Sequence, residues 1–258
     1  MEQLRVLING ITGKMGQAAK HAISSESDLT LVGGLRNGDD LDATIISQQP
    51  DVVVDLTHPS VGYTNTLTIL KQGCHAVVGT TGFTSDQLSE IDAVAQSQKR
   101  VAMIIPNFAI GAVMMMKMAR ELVSFMPSVE IIEYHHPLKA DSPSGTAIQT
   151  AQELHQGNPT LNAHRIDGPG RGDCHYGVPI HSVRLDGFVA SQSVIFGELG
   201  QTLTIRHDTI SREAFMPGLL LCIRQAPSMI GLVSRLDDVL AHVANTPSKP
   251  TPINRRSS

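Results

Sequence analysis

The stretch Leu4-Arg-Val-Leu-Ile-Asn-Gly-Ile-Thr-Gly-Lys-Met-Gly16 decides the fold of the N-terminal half. Its apolar residues 4–8 predict a strand, and residues 17–24 predict the helix that follows. The glycines at positions 10, 13 and 16 give G-x-x-G-x-x-G, a variant of the dinucleotide fingerprint. That fingerprint needs glycines for a tight turn and for close approach of the backbone to a pyrophosphate. Glycine-rich turns also join strands to helices without a ligand, so both interpretations stay open.

The rest of the N-terminal half alternates between strands and helices. Apolar runs at 29–33, 51–55, 75–78 and 101–105 predict buried strands, and residues 85–98 predict one of the helices. This alternation predicts an α/β fold with a Rossmann-type, doubly wound parallel sheet. Ligands of such sheets bind at the carboxyl ends of the strands, where this sequence places loops rich in Gly, Thr, Asn and His.

Arg36 bears on the choice of dinucleotide. An acidic residue that binds the ribose 2′-hydroxyl is expected about 20 positions after the fingerprint. Leu35-Arg36-Asn37 stands there instead. An arginine at the tip of the second strand suits a 2′-phosphate, which favours NADPH over NADH. The alternative is an ordinary surface arginine.

The C-terminal half has a different pattern. Residues 110–125 predict a long apolar helix with four of the ten methionines, which we interpret as a buried connector to a second domain. Alternating residues at 181–184, 193–196 and 202–206 predict antiparallel strands with one packed face. The second domain is therefore expected to be α+β, with a mixed, largely antiparallel sheet.

These patterns predict the domain organisation. Residues 1–108 form a dinucleotide-binding domain, and residues 109–215 form a domain for substrate binding and oligomerisation. A helix starts at residues 211–215 and is interrupted by Pro217 and Gly218. The helices of about 216–245 are expected to pack back on the first domain, and residues 246–258 to form a disordered tail.

Chemistry is concentrated in Glu133-Tyr-His-His-Pro-Leu-Lys-Ala-Asp-Ser-Pro-Ser-Gly-Thr-Ala147, between a predicted strand and a predicted helix. Its Ser-Pro-Ser-Gly-Thr segment is typical of a helix start, with capping hydroxyls and a proline suited to the first helical position. The free N–H groups of such a start attract a carboxylate or phosphate. Lys139 adds a positive charge, and His135 and His136 exchange protons near neutral pH.

Pro137 disfavours helical geometry at His136, so we expect His135 and Lys139 to converge from a loop. Together these residues predict a site for a small anionic substrate that gains or loses a proton. The alternative is a polar loop whose histidines only satisfy backbone groups.

Composition excludes several classes of protein. The net charge is −4 and no predicted element carries a basic cluster, so nucleic acid is not an expected partner. No apolar run approaches the roughly 20 residues that cross a bilayer, and a strand begins at once, so we expect no signal peptide and a cytoplasmic protein. The three cysteines, Cys74, Cys174 and Cys222, fit free thiols better than disulfides, and no metal site is predicted.

The segment His135-His136-x-x-Lys139-x-Asp141-x-Pro143-Ser144-Gly145-Thr146-Ala147 closely resembles the signature of the dihydrodipicolinate reductases, also called 4-hydroxy-tetrahydrodipicolinate reductases. Further blocks resemble that family in the same order, and the likeness covers roughly residues 4–245. These blocks are Gly10–Gly16, Asp55–Pro59, Gly79–Gly82, Asn107-Phe108, His181–Arg184 and Arg206–Gly218.

The resemblance implies a Rossmann domain, a substrate domain with a mixed sheet, and a homotetramer assembled through those sheets. It implies reduction of the cyclic product of aspartate semialdehyde and pyruvate, a small dicarboxylate, to tetrahydrodipicolinate. The reaction loses water, uses NADPH or NADH, and belongs to diaminopimelate and lysine biosynthesis in the cytoplasm.

The resemblance also implies residue roles. His135 matches a proton donor and acceptor, Lys139 a proton donor, and His136 a substrate contact. Ser144, Gly145 and Thr146 match the cradle for a substrate carboxylate. The positions expected to contact the nucleotide are Gly10, Ile11, Thr12, Gly13, Lys14, Met15, Arg36, Gly79, Thr80, Thr81, Ile105, Pro106, Asn107 and Phe108.

Three positions depart from the family pattern. Ser142 stands where alanine is usual, Ser191 where histidine is common, and Arg36 where many members have an acidic residue. Two other functions remain open: a different imine-reducing amino-acid dehydrogenase, and a non-catalytic dinucleotide sensor. The intact pair of His135 and Lys139 argues against the sensor, because binding alone has no chemical need for it.

Overall fold

A computed structural model of the chain describes residues 3–161, 168 and 170–245. The tail predicted at 246–258 lies outside the described residues. The chain forms two compact units. Among the described residues, one unit takes 3–108 and 215–245, and the other takes those between 109 and 214. Over the described ranges, no helix is both long and apolar enough to cross a bilayer.

Strands and helices alternate along most of the chain. The strands are β1 (Leu4–Asn9), β2 (Leu29–Leu35), β3 (Val52–Asp55), β4 (His75–Val78), β5 (Val101–Ile104), β6 (Ser128–His135), β7 (Asp173–His175), β8 (Val178–Arg184), β9 (Ala190–Glu198), β10 (Gln201–Thr209) and β11 (Gly231–Val233). The helices are α1 (Lys14–Ser24), α2 (Leu41–Gln48), α3 (Pro59–Lys71), α4 (Ser85–Gln98), α5 (Ile110–Leu122), α6 (Gly145–Gly157), α7 (Met216–Gln225) and α8 (Leu236–Asn245).

The first unit is built on a six-stranded parallel sheet with the order β11-β5-β4-β3-β1-β2. Every residue of β3, β4 and β5 is buried, as expected for strands covered by helices on both faces. The Rossmann-type sheet predicted from the sequence is confirmed. The sequence did not delimit α2 or β11. The three residues of β11 are too few to show a hydrophobic period.

The C-terminal segment joins the first unit through α7, which packs against α1, and through β11 at the edge of the sheet. The predicted interruption by Pro217 and Gly218 is wrong. Pro217 lies in the first turn of α7, where a missing N–H costs nothing, and Gly218 is a buried residue inside the helix. A Cβ at Gly218 would fall on the carbonyl oxygen of Phe108, which explains the glycine.

The second unit is a mixed five-stranded sheet with the order β10-β9-β6-β8-β7. β6 pairs antiparallel with β9 and parallel with β8, so the sheet is mixed but largely antiparallel, as predicted. Helices α5 and α6 pack on one face, where Val129, Ile131 and Glu133 of β6 are buried. The alternate residues of β6 face the opposite side, which we call the open face.

The predicted helix at 110–125 differs in two ways from α5. It ends at Leu122, and it is buried on one side only. Met115 and Met116 are buried, whereas Met114 and Met118 are exposed. The run of methionines hid this amphipathicity because the residues share one hydropathy and reveal no period.

Candidate active site

The turn between β1 and α1 is shaped by its glycines. Gly10 has a φ of +87°, and a Cβ there would lie 2.8 Å from the carbonyl oxygen of Leu56. A Cβ at Gly16 would fall on the carbonyl oxygen of Gly10. Gly13 caps α1 without any side-chain hydrogen bond. The fingerprint therefore reflects real close packing and leaves a helix start that can receive an anion.

A cleft of about 510 Å³ lies beside this turn. It brings together four of the predicted nucleotide contacts: Gly10, Thr12, Gly13 and Arg36. The Arg36 backbone N–H donates to Asp39 Oδ2 over 2.7 Å, while in the described part of the chain nothing accepts a hydrogen bond from its guanidinium. The other lining residues are Asn9, Asn37, Gly38, Asp39, Leu41, Leu56, Thr57, His58, Ser60, Val61 and Asn65.

Most of these other lining residues were not predicted to form the site. Asp55, fully buried at the end of β3, organises them by accepting hydrogen bonds from Asn9 Nδ2 (3.0 Å), Asn65 Nδ2 (2.8 Å) and Thr57 Oγ1 (2.6 Å). His58 caps α3 by accepting the Ser60 N–H at its Nδ1 over 3.3 Å. The available signal was their position in a polar loop directly after a parallel strand.

The remaining predicted nucleotide contacts lie elsewhere on the same edge of the sheet. Gly79–Thr81 follow β4 and Ile105–Phe108 follow β5. The two loops are neighbours, because a Cβ at Gly79 would lie 3.2 Å from Phe108 Cε2. Neither loop contributes to the described lining of the 510 Å³ cleft, and nor do Ile11, Lys14 and Met15. The predicted nucleotide contacts thus form two groups at one sheet edge: the β1–α1 turn and helix start together with Arg36, and the loops after β4 and β5.

In the second unit, His135 is the last residue of β6, so the expectation that it lies in the loop is wrong. It pairs with Arg184 of β8 on one side and Ala190 of β9 on the other. Lys139 does lie in the loop. Its Nζ is 2.7 Å from Asp141 Oδ1, and its backbone N–H donates to the His136 carbonyl over 3.2 Å. His136 is exposed.

Glu133 is the centre of this site, although its place in the sequence predicted no role for it. Its side chain is fully buried on the same face of β6 as His135, whose Nδ1 is hydrogen-bonded to Glu133 Oε2. Arg184 donates to both carboxylate oxygens, from Nη1 to Oε2 over 2.9 Å and from Nη2 to Oε1 over 2.8 Å. The Ser144 N–H donates to Oε1 over 3.3 Å.

These contacts fix the charge of Glu133. Burial by itself would raise the pKa of Glu133, but hydrogen bonds from His135, Arg184 and Ser182 outweigh it and lower the pKa to about 2. The carboxylate is therefore ionised at neutral pH and can only accept hydrogen bonds. One sequence signal existed: Glu133 is a charged residue on the strand face otherwise formed by Val129 and Ile131.

The start of α6 lies next to this pair. Ser144 caps the helix, its Oγ accepting the Ala147 N–H over 3.2 Å, and Gly145 is the first helical residue. Pro143 precedes the cap, so its predicted place at the first helical position is wrong. A Cβ at Gly145 would meet nothing within 4 Å. The pKa of Asp141 is lowered chiefly by its hydrogen bond with Lys139, and the backbone N–H of Gly145 adds to this, so the Asp141 carboxylate faces the start of α6. Thr146 follows within the same first turn.

Two family models match this chain. One describes the dihydrodipicolinate reductase N-terminus and covers residues 4–108. The other describes the C-terminus of the same enzyme and covers residues 111–240. The chain belongs to the dihydrodipicolinate reductase family.

Relatives from this family are similar over nearly the whole chain. A 4-hydroxy-tetrahydrodipicolinate reductase of Coxiella burnetii (strain Dugway 5J108-111) is 44% identical over 92% of this chain and 99% of its own. The reductase of Mycolicibacterium smegmatis is 43% identical with the same coverage. A dipicolinate-bound dihydrodipicolinate reductase from Paenisporosarcina sp. TG-14 is 37% identical, with a TM-score of 0.84 over 92% of this chain and 99% of that structure.

The family's dinucleotide fits the residues found in the first unit. The close-packed glycine turn and the uncapped start of α1 leave the backbone N–H groups that a pyrophosphate needs, and the adjoining cleft carries the guanidinium of Arg36. In the described ranges, no group of three or more His, Cys, Asp or Glu side chains is placed to hold a metal ion.

Proposed function

We infer that this chain reduces 4-hydroxy-tetrahydrodipicolinate to tetrahydrodipicolinate, with loss of water, using NAD(P)H in diaminopimelate and lysine biosynthesis. One observation carries the chemistry: a histidine held by a buried, ionised carboxylate stands beside the start of α6. In a chain of this family, that arrangement suits a dicarboxylate substrate that must receive a proton.

We propose that the two groups of nucleotide contacts hold the dinucleotide at the sheet edge of the first unit. The cofactor supplies a hydride when it is bound. The N–H groups at the start of α1 are available to its pyrophosphate, and Arg36 to a 2′-phosphate. We therefore propose a preference for NADPH over NADH, because the guanidinium has no competing acceptor among the described residues.

At the substrate end, we propose that Ser144, Gly145 and Thr146 hold a carboxylate at the start of α6, with His136 as a further contact. The N–H groups there lie at the positive end of the helix dipole, and a Cβ at Gly145 would meet nothing within 4 Å. His135 and Lys139 are the proposed proton donors. His135 has only its Nε2 available, since Nδ1 is bonded to Glu133.

We further propose that the protein is a homotetramer assembled through the open face of the second sheet. Helices cover the other face, while Ile132, Ile195 and Gly197 line a shallow cleft of about 320 Å³ on the open one. The polar side chains of Ser128, Glu130 and His181 line the same cleft. We propose that a partner subunit covers the apolar residues of this face. All three cysteines are free, which suits the cytoplasm that we propose as the protein's location.

The test is oxidation of NADPH and NADH by the purified protein, with the unstable substrate generated in the cuvette from pyruvate and aspartate semialdehyde by a separate synthase. We expect synthase-dependent oxidation that is faster with NADPH. Nucleotide binding without any oxidation would reject the reductase assignment and favour another imine substrate or a sensor.

A further inference from the structure

We propose that Glu133 and Arg184 are positioning residues of this enzyme. In this proposal, Glu133 selects the tautomer of His135, and Arg184 keeps Glu133 paired while it ties the Lys139 loop to the sheet. The proposal rests on the proposed function only for its effect on turnover, because the tautomer is a property of the protein alone.

Glu133 is an energetically costly residue at a buried position. Burying an unpaired carboxylate costs several kcal/mol, and even a well-paired buried ion pair is often no more stabilising than apolar side chains of the same volume. Val129 and Ile131, on the same face of β6, show that this face accepts apolar residues. Packing alone therefore does not require a carboxylate at position 133, whereas orienting His135 does.

Glu133 determines which nitrogen of His135 carries the proton. Glu133 is an ionised carboxylate without a proton to give, so the His135 Nδ1 must be the donor in their hydrogen bond. A neutral His135 then has its lone pair at Nε2, and a protonated His135 has its exchangeable proton there. A histidine without such a partner divides between two tautomers, and one of them presents the wrong nitrogen.

Arg184 accompanies Glu133 because the charge of His135 changes during the proposed reaction. A histidine that donates a proton becomes neutral in each turnover, which would leave Glu133 as an unpaired buried charge. Arg184 donates to both oxygens of Glu133 whatever the state of His135. Arg184 keeps its positive charge throughout. The free-energy cost of burying the Glu133 carboxylate therefore stays nearly constant while His135 loses and regains a proton.

Arg184 also reaches the loop. Its Nη2 donates to the Asp141 carbonyl over 2.7 Å, and the Asp141 side chain holds Lys139 Nζ at 2.7 Å. One guanidinium thus connects the carboxylate that orients His135 with the residue that holds Lys139. The Ser144 N–H on Glu133 adds the start of α6 to the same set of contacts.

The primary test is the isosteric Glu133→Gln variant. Its amide can donate to His135 Nδ1, which would move the histidine proton to Nε2. With ¹⁵N-labelled histidine, we expect NMR to show Nδ1-protonated His135 in the wild type and Nε2-protonated His135 in the variant, the resonances being assigned with His135→Gln. In the reductase assay, kcat should fall about 100- to 10,000-fold, the range for a misdirected general acid. KM for the substrate and Kd for NADPH should change less than about threefold.

The matched control is Glu121→Gln at an exposed position of α5, which should leave the His135 tautomer and the turnover unchanged. Arg184→Lys separates the two roles of the pair. It should keep the Nδ1-protonated tautomer while kcat falls about tenfold, because one ammonium cannot replace both the bidentate contact and the bond to Asp141.

The wild-type spectrum decides the proposal even if a variant does not fold, since Nε2-protonated His135 would overturn it. Wild-type turnover in Glu133→Gln would overturn it as well. The wild type could instead show Nδ1-protonated His135 but no reductase activity. That result would reject the proposed function and leave the positioning of His135 by Glu133 intact.

Discussion

The starts of α1 and α6 are both suited to anions, but they are built in opposite ways. At α1 the close packing of Gly10 and Gly16 creates the site, and the cap at Gly13 has no side-chain hydrogen bond. At α6 the cap is a serine hydroxyl, and the buried carboxylate of Glu133 stands behind it. A site that only binds can be made from missing side chains, whereas a site that moves protons needs charges placed in the interior.

Two histidines show the same contrast. His75 in β4 is buried, and its Nδ1 accepts the Val101 N–H over 3.2 Å. Burial, followed by the nearby charge of Arg100, lowers the pKa of His75 to about 4, so the ring stays neutral. His135 instead has its Nδ1 on Glu133. The first unit uses a histidine as a fixed acceptor, and we propose that the second uses one as a proton donor.

Lys139→Ala should have the largest effect, because it removes a proposed proton donor from the charged helix start. We expect kcat to fall about 100- to 10,000-fold while Kd for NADPH, measured by fluorescence titration, stays nearly unchanged. Lys117→Ala, on an exposed position of α5, is the control. Equal loss of turnover and of nucleotide binding in Lys139→Ala would indicate general misfolding. It would contradict the separate roles assigned to the starts of α1 and α6.

His75→Asn tests the neutral histidine through the pH dependence of stability. The unfolded chain protonates His75 below its ordinary pKa of 6.5, but the folded chain does so only near 4. The free energy of unfolding therefore keeps its full value above pH 6.5. As the pH falls towards 4, protonation of His75 in the unfolded chain lowers it by about 3 kcal/mol in total. Asparagine can accept the Val101 N–H without titrating, so urea denaturation at pH 7.5 and 4.5 should show a smaller loss in the variant.

The exposed His21→Asn is the matched control for this experiment and should follow the wild type. The same pH slope in His75→Asn and the wild type would show that His75 is not held neutral.

Gly16→Ala and Gly145→Ala compare the two helix starts directly. The Cβ at position 16 meets backbone atoms of Gly10 and Ile11, so we expect a loss of about 1–3 kcal/mol in the free energy of unfolding, together with weaker NADPH binding. The Cβ at position 145 meets nothing within 4 Å, so stability should be unchanged while KM for the substrate rises. Similar unfolding midpoints for the two variants would contradict the claim that only α1 depends on missing side chains.

Arg36→Asp should change nucleotide affinity without affecting the start of α6. A charge-assisted hydrogen bond is worth about 1.5–3 kcal/mol, so Kd for NADPH should rise about 10- to 100-fold while Kd for NADH changes much less. Isothermal titration with both nucleotides measures the ratio of Kd for NADPH to Kd for NADH. Arg36→Lys keeps the charge, so its ratio should lie between those of the wild type and Arg36→Asp. An unchanged ratio would remove Arg36 from the phosphate site.

Much of this protein could be predicted from local sequence. The apolar strands β3 to β5, the glycine turn before α1 and the capped start of α6 each follow from residues close together in the chain. The family could be predicted for the same reason, since its signature is one continuous segment at 135–147. Local rules failed to place the first residue of two helices. α6 begins two residues after Pro143, and α7 begins one residue before Pro217, so a proline near a helix start does not fix its first residue.

Tertiary structure alone decided which distant residues meet. Arg184 lies 51 residues from Glu133, and parallel pairing of β8 with β6 places its guanidinium on that carboxylate. Asp55 likewise gathers Asn9 and Asn65 around the cleft beside the β1–α1 turn. A sequence states which side chains can carry a charge, but whether a charge is buried and paired depends on strand order and register. Those are fixed only when the whole sheet has formed.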